Sequence, residues 1–150
     1  MKSQINTTEA RAHFKNTDVR MEKLLNSSLA SHNPIILPTP KSPDEYFRSI
    51  VRSIVSQQIS VKAAASVFAR VEARAGEITP DNILRVPESE LRLCGLSGQK
   101  TKYILHNASV WPELKIHELE EMSDEEVIAK LTKLYGIGRW TAEMFLMFSL

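Results

Sequence analysis

An all-α fold, a compact bundle of short helices, is what this sequence of 150 residues predicts. Helix-start signatures recur: Ser42-Pro43-Asp44-Glu45 and Ser123-Asp124-Glu125-Glu126 each set a capping serine three residues ahead of a glutamate, the capping-box pattern. Apolar residues follow these starts at helical spacing. No stretch alternates as a strand would, and no internal repeat is present. The length fits one domain, 1–150, large enough to bury a sizeable core.

Taken in order, residues 1–6 read as a loose tail. A helical pattern runs from Thr8 to about Ser28, broken near Asn16-Thr17-Asp18, where Thr17 or Asp18 can serve as N-cap. The prolines of Asn33 to Pro40 forbid helix and predict an extended connector whose Ile35-Ile36-Leu37 packs on the domain. This connector is not a domain boundary. Behind Ser42, the residues Tyr46, Phe47, Ile50, Val51, Ile54 and Val55 define one buried face, with Arg48 and Arg52 off it. A second helix begins at Ser60 and stops near Gly76. Thr79-Pro80-Asp81 caps a short helix over Ile83 and Leu84, and Val86-Pro87 opens another that ends at Gly95. Ser97 caps a helix from Gly98 to about Val110, with Tyr103, Ile104 and Leu105 inward. The Ser123 helix turns Val127, Ile128, Leu131 and Leu134 inward. The segment Thr141 to Leu150 is apolar almost all round, which predicts burial in mid-core. It stops without a C-cap, so the chain is expected to be truncated within that helix.

Composition narrows the chemistry. The chain is 43% hydrophobic and 25% charged, ordinary for a globular protein rather than a disordered one. No apolar run reaches membrane-spanning length and the N-terminus lacks a signal-peptide pattern, so no membrane partner is expected. The single cysteine, Cys94, excludes a disulfide framework or four-cysteine metal site within this chain and suggests a reducing cytoplasm. His13, His32, His106 and His117 lack metal-ligand spacing and read as structural or surface residues. With a net charge of +1, any nucleic-acid contact must be local, made by a few basic groups and backbone amides.

Two stretches stand out. Leu134-Tyr135-Gly136-Ile137-Gly138-Arg139-Trp140-Thr141-Ala142 (134–142) ends one helix and opens the next. Its glycines permit a tight turn or close approach, and the unpaired N–H groups from Gly138 to Thr141 form a small anion site. An ordinary helix–helix corner would look similar. The second stretch, Ser53 to Ala64, places Gln57 and Gln58 side by side at a helix junction, poor core material that also suits a solvated corner.

Together these stretches resemble the helix-hairpin-helix DNA glycosylases, specifically their alkylation-repair, 3-methyladenine DNA glycosylase II branch. The hairpin is similar to L-P-G-I/V-G-x-x-T-A, with Tyr135 where proline is usual. The corner is similar to V-S-Q-Q-I-S, and Leu91 to Ile104 is similar to L-x-x-x-G-L-S-x-x-K-x-x-Y-I. The resemblance covers essentially the whole chain. It implies a C-terminal part beyond this sequence and the following roles. The hairpin residues Gly136, Ile137, Gly138, Arg139 and Thr141 would grip one DNA backbone, with the amides of Gly136, Gly138 and Thr141 facing phosphate. Gln58, with Gln57 beside it, would enter the minor groove and fill the gap left by a flipped nucleotide. The carbonyls of Thr132, Leu134 and Ile137 would hold a structural Na⁺ or K⁺; no other cofactor is implied. Lys133 and Arg139 can add charge, or stand as solvated surface residues. The acidic run Glu118 to Glu126 reads as a solvated helix start pointing away from DNA.

Branches of the family that cut the backbone carry a lysine at the position of Trp140. Tryptophan cannot form that Schiff base, so the resemblance implies a monofunctional glycosylase that leaves an abasic site. Trp140, with Met144, would line the base pocket by stacking and cation–π attraction; a core tryptophan near a helix start is the equal alternative. The family's catalytic aspartate falls roughly twenty residues past the hairpin, beyond Leu150, so no catalytic residue is expected within the chain. Glu143 is poorly placed to substitute. The expected partner is double-stranded DNA containing alkylated bases, bound by a monomer in the bacterial cytoplasm or eukaryotic nucleus. A non-catalytic DNA-binding module and an unrelated helical interaction domain are the alternatives.

Overall fold

The computed structural model describes residues 12–15, 17–27 and 39–150. They belong to two compact units, Met1–Thr39 and Pro40–Leu150. The expected tail at 1–6 and the connector core Ile35-Ile36-Leu37 lie outside the described residues. In the first unit, helix α1 is Val19–Asn26. Asp18 is its cap, accepting from the N–H groups of Arg20 and Met21 at 2.9 and 3.2 Å. Thr17 turns the other way and donates its hydroxyl to the His13 carbonyl at 2.7 Å.

The second unit contains α2 (Pro43–Ser56), α3 (Val61–Ala75), α4 (Pro80–Arg85), α5 (Glu88–Leu93), α6 (Gly98–Val110), α7 (Asp124–Leu131) and α8 (Arg139–Ser149). Among the described residues there is no strand. Ser42 and Ser123 close the expected capping boxes with Glu45 and Glu126, and Ser60, Thr79 and Ser97 cap their helices by accepting one backbone N–H each. These side chains satisfy orphan donors that would otherwise be left at each helix start.

Helix α2 supplies the centre of the core. Tyr46, Phe47, Ile50, Val51, Ile54 and Val55 are all buried, as their spacing predicts. Around them close Val71 of α3, Ile83 of α4, Leu91 of α5, Ile104 of α6 and Leu131 of α7. Edge-to-face contacts seat two further rings on this face: Phe145 on Tyr46 and Trp111 on Phe47, at 5.1 and 5.0 Å between centroids.

Two expectations are corrected. The acidic run is not one helix start: Trp111–Leu114 and Ile116–Glu121 are 3₁₀ turns, and only Ser123 onward begins an α-helix. Pro112 breaks the α6 ladder by lacking an N–H, and Ile116 and Leu119 then anchor the short turns in the core. The last helix is not buried all round. It starts earlier, at Arg139, and buries Ala142, Phe145 and Ser149 against α2 and α7. Trp140, Met147 and Phe148 stay 70%, 60% and 49% exposed, because only one side of α8 meets another described helix. Its end is tied to the start of α2 through Lys41. The Lys41 N–H donates to the Ser149 carbonyl at 2.9 Å, and its ammonium donates to Ser49 and Ser149 Oγ at 2.7 and 3.1 Å. Burial pushes that ammonium below its ordinary pKa.

Candidate nucleic-acid interface

The turn from α7 to α8 depends on one residue in the left-handed region. Gly136 has φ +77°, and a Cβ built there would lie 2.5 Å from Cδ2 of Tyr103. The turn is therefore packed as closely as a residue without a side chain allows. Gly138 is different in kind: its φ is −90°, and a Cβ there would meet nothing within 4 Å. It stands as N-cap of α8 without a side-chain cap, unlike the serine- and threonine-capped helices around it. The first-turn N–H groups at Arg139, Trp140 and Thr141 are thus left facing outward, with the positive end of the helix dipole behind them. Ile137 sits between the two glycines. Its side chain is buried and pins the turn to the core, so only its backbone can meet a ligand.

Tyr135, which replaces the usual proline, is held by other means. Its N–H donates to Asn107 Oδ1 at 2.8 Å, and its carbonyl accepts from Asn107 Nδ2 at 3.0 Å. Its ring stacks on His106 at 3.7 Å between centroids. A proline would have no N–H for Asn107, so the buried asparagine and the tyrosine form a matched substitute for proline's preset backbone.

Gln58 is exposed and takes φ +59°, a conformation costly for a residue with a side chain. This twist lets the amide project from the corner between α2 and α3. Gln57 has another task. Its Nε2 donates to the Gly136 carbonyl at 2.7 Å, so the side chain beside the wedge is a brace to the hairpin, not a second wedge. The corner is also held from α6: Lys100 Nζ donates to the carbonyls of Val55 and Gln57 at 2.7 and 2.6 Å, completing the C-terminus of α2 with a cation. One helix thus fixes both functional turns, the corner through Lys100 and the hairpin through Tyr103 and Asn107. The motif around Lys100 hinted at this role without stating it. Asn107 was also missed; an asparagine amid the buried positions of a helix was the available signal.

Trp140 is exposed, which rules out the core-tryptophan alternative. With Met144 and Phe148 it lines one side of a hollow of about 360 Å³, whose other side is the polar face of α2. No carboxylate lines that hollow. A second hollow, of about 580 Å³, lies along the hairpin and is lined by Thr132, Leu134, Gly136, Ile137 and Gly138. Here the Leu134 carbonyl accepts one N–H, from Ile137 at 3.2 Å, while the carbonyls of Thr132 and Ile137 receive none among the described residues. Three carbonyls with unused lone pairs fit a hard monovalent cation. No group of His, Cys, Asp or Glu among the described residues could hold another metal.

Arg139 departs most from expectation. Its guanidinium makes two hydrogen bonds to Glu125 (2.6 and 3.1 Å) and one to Glu143 (2.9 Å). The pairing raises the arginine's pKa and engages its guanidinium with two carboxylates at the protein surface. The acidic run therefore reaches the hairpin instead of pointing away. Arg139 joins the starts of α7 and α8. Its hydrogen bond and charge hold the Glu125 carboxyl below the ordinary 4.5. A carboxylate with a lowered folded pKa contributes stability above its unfolded value and loses it as pH falls through the folded one. The melting advantage of the parent over Glu125→Gln should therefore be small, present at neutral pH, and shrink below about pH 4.5. An advantage that stays constant down to about pH 3 would mean the pair does not operate.

The comparisons with known proteins agree with this geometry. The family description "HhH-GPD superfamily base excision DNA repair protein" matches residues 51–111, from the buried face of α2 through α6. The chain is 32% identical over 149 positions to DNA-3-methyladenine glycosylase 1 of Schizosaccharomyces pombe, covering 95% of this chain and 64% of that protein. It is 37% identical over 120 positions to the DNA-3-methyladenine glycosylase of Saccharomyces cerevisiae, covering 71% of this chain and 40% of that one. This chain thus spans less than two thirds of either relative. Among solved structures, the DNA-3-methyladenine glycosidase of Bacillus halodurans matches with TM-score 0.75 at 35% identity, over 99% of this chain and 66% of its own. The S. pombe 3-methyladenine DNA glycosylase in complex with abasic DNA matches with TM-score 0.74 at 30% identity, over 95% and 70%. Matching 70% of the S. pombe structure's chain at 30% identity, the chain belongs to the helix-hairpin-helix DNA glycosylase superfamily.

Proposed function

We propose that this chain binds double-stranded DNA containing alkylated bases and serves base excision repair. The reaction is monofunctional hydrolysis of the N-glycosidic bond, releasing 3-methyladenine-type bases and leaving an abasic site. The carrying observation is the pairing of an uncapped, glycine-led α8 N-terminus with the projecting Gln58, locked together by the Gln57–Gly136 bond. The names of the relatives and the abasic DNA bound by the S. pombe protein support it.

In this mechanism the free N–H groups of α8 hold a phosphate; the carbonyls of Thr132, Leu134 and Ile137 would hold a Na⁺ or K⁺, which would supply positive charge at the same turn. Gln58 occupies the space vacated by the extruded nucleotide. Trp140 and Met144 receive the base; an aromatic face favours a cationic alkylated purine. Bond cleavage is dissociative, with a carboxylate stabilising the developing oxocarbenium sugar and guiding water. The hollow beside Trp140 supplies no such group, and Glu143 is engaged by Arg139. The carboxylate is accordingly assigned to the position about twenty residues past the hairpin that the family resemblance implies. The protein acts as a monomer where genomic DNA lies.

The test compares this chain with a version continuing past residue 150, each incubated with methylated duplex. Both should bind duplex DNA in a salt-dependent way, and the longer version should release free 3-methyladenine over many turnovers. Equal release by the 150-residue chain would place the catalytic group within these residues. Binding without release by either version would identify a non-catalytic lesion-binding module.

A further inference from the structure

Helix α2 presents a polar stripe to the hollow beside Trp140. Ser49, Arg52, Ser53 and Ser56 lie along its wall, with Lys41 beside them and no carboxylate among the lining residues. The two cations have different circumstances. The Lys41 ammonium already donates to two serine hydroxyls. The Arg52 guanidinium has no hydrogen bond and no ion pair among the described residues, while its neighbour Arg48 is paired with Glu72 at 2.7 Å. Yet the Arg52 guanidinium is not adrift. It lies 5.7 Å from the Phe68 ring centroid, alongside Arg48 at 4.9 Å. It also borders a second hollow on the α3 side, lined by Ile59, Val61 and Phe68. Arg52 is thus a planar cation on the ridge between two hollows, one turn before the corner that carries Gln58, with its donors unused.

We infer that Arg52, with the free hydroxyl of Ser53, binds a phosphodiester of the DNA strand whose nucleotide is extruded into the hollow beside Trp140. A stacked guanidinium loses little freedom on binding, and its fork matches phosphate geometry. With two cations and no carboxylate, the α2 side of the cleft attracts an anion, so its ligand is the phosphate, while the base lies against Trp140 and Met144 on the other side. The strand is then held at two separate points, by the backbone amides of α8 and by the side chain of α2. This inference rests on the proposed DNA-binding function.

The test uses the full chain, a duplex with one abasic site, and methylphosphonate linkages placed singly around that site to remove one phosphate charge at a time. Arg52→Ala should melt as the parent does, bind the abasic duplex about tenfold more weakly, and lower the salt slope by about 0.9. Arg52→Lys should recover part of the loss. One methylphosphonate position should weaken the parent about as much as the alanine substitution and weaken Arg52→Ala no further. Because the abasic duplex has no base at the site, the same loss on that duplex assigns the contact to the backbone. An unchanged salt slope in Arg52→Ala, or additive losses at every methylphosphonate position, overturns the inference while leaving the proposed function standing. A parent chain that binds no DNA overturns the proposed function itself.

Discussion

Gly136→Ala should lower the melting temperature by roughly 8–15 °C, the largest effect of any single methyl group added to the hairpin. Two costs act together. Alanine at φ +77° is strained, and its methyl would press into the Tyr103 ring at 2.5 Å. The ring has little room to yield, since Tyr103 packs edge-on against Tyr135 at 6.1 Å. Left-handed strain and overpacking together come to about 2–4 kcal/mol. Gly138→Ala is the matched control, because its φ is ordinary and its methyl meets open space. That variant should melt within a few degrees of the parent yet bind duplex DNA more weakly, since the methyl stands where a phosphate must come close. Paired thermal melts and binding isotherms check this contrast. If the two alanines destabilise equally, the packing described for Gly136 is wrong.

Lys100→Met should separate stability from damage recognition. The methionine keeps most of the aliphatic volume and removes the ammonium that closes the carbonyls of Val55 and Gln57. The Val55 carbonyl is buried and is left without this donor, and the expected destabilisation is about 1–2 kcal/mol. The larger change is in the corner. Without Lys100, the α2 terminus can relax and Gln58 can leave its strained φ of +59°. Affinity for an abasic duplex should fall about tenfold, equivalent to about 1.4 kcal/mol. Binding to intact duplex, which uses the hairpin, should change little. Burial lowers the pKa of this lysine, so the folded state sheds its proton before the unfolded chain does, and the parent's advantage over Lys100→Met should grow as pH rises through that range. Equal loss on both duplexes would show that Lys100 supports the fold alone.

Much of this architecture is legible in local sequence. The capping boxes at Ser42 and Ser123, the caps at Ser60, Thr79 and Ser97, and the buried face of α2 all stand where short-range chemistry places them. The glycine-led hairpin and the exposed Gln58 were equally readable. What was not readable lies between segments far apart in sequence. Arg139 was open to two readings, added charge or a solvated surface residue, and its pairing with Glu125, 14 residues away across the turn, was not visible. Gln58 was singled out with Gln57 beside it, but the tie from Gln57 to the carbonyl of Gly136, 79 residues distant, was not visible. The exposure of α8 was missed for a similar reason. An apolar composition states what a helix can bury, while the arrangement of α2 and α7 decides which side is covered.

The bonds that hold the site share one property. Gln57 reaches the carbonyl of Gly136, Lys100 the carbonyls of Val55 and Gln57, and Asn107 the amide and carbonyl of Tyr135. Each lands on main chain, an atom set that nearly every amino acid carries. The bonds themselves are therefore indifferent to side chain, so that Asn107 bars only proline at position 135, although Gly136 must stay glycine for its own backbone and packing. Exposed residues such as Gln58 and Trp140 can be exchanged for others at small cost to the fold, as surface substitutions usually are. In evolutionary terms, frame and exposed surface are separable parts: descendants of this scaffold can change the side chains shown at the corner and on α8 while the frame beneath stays as it is.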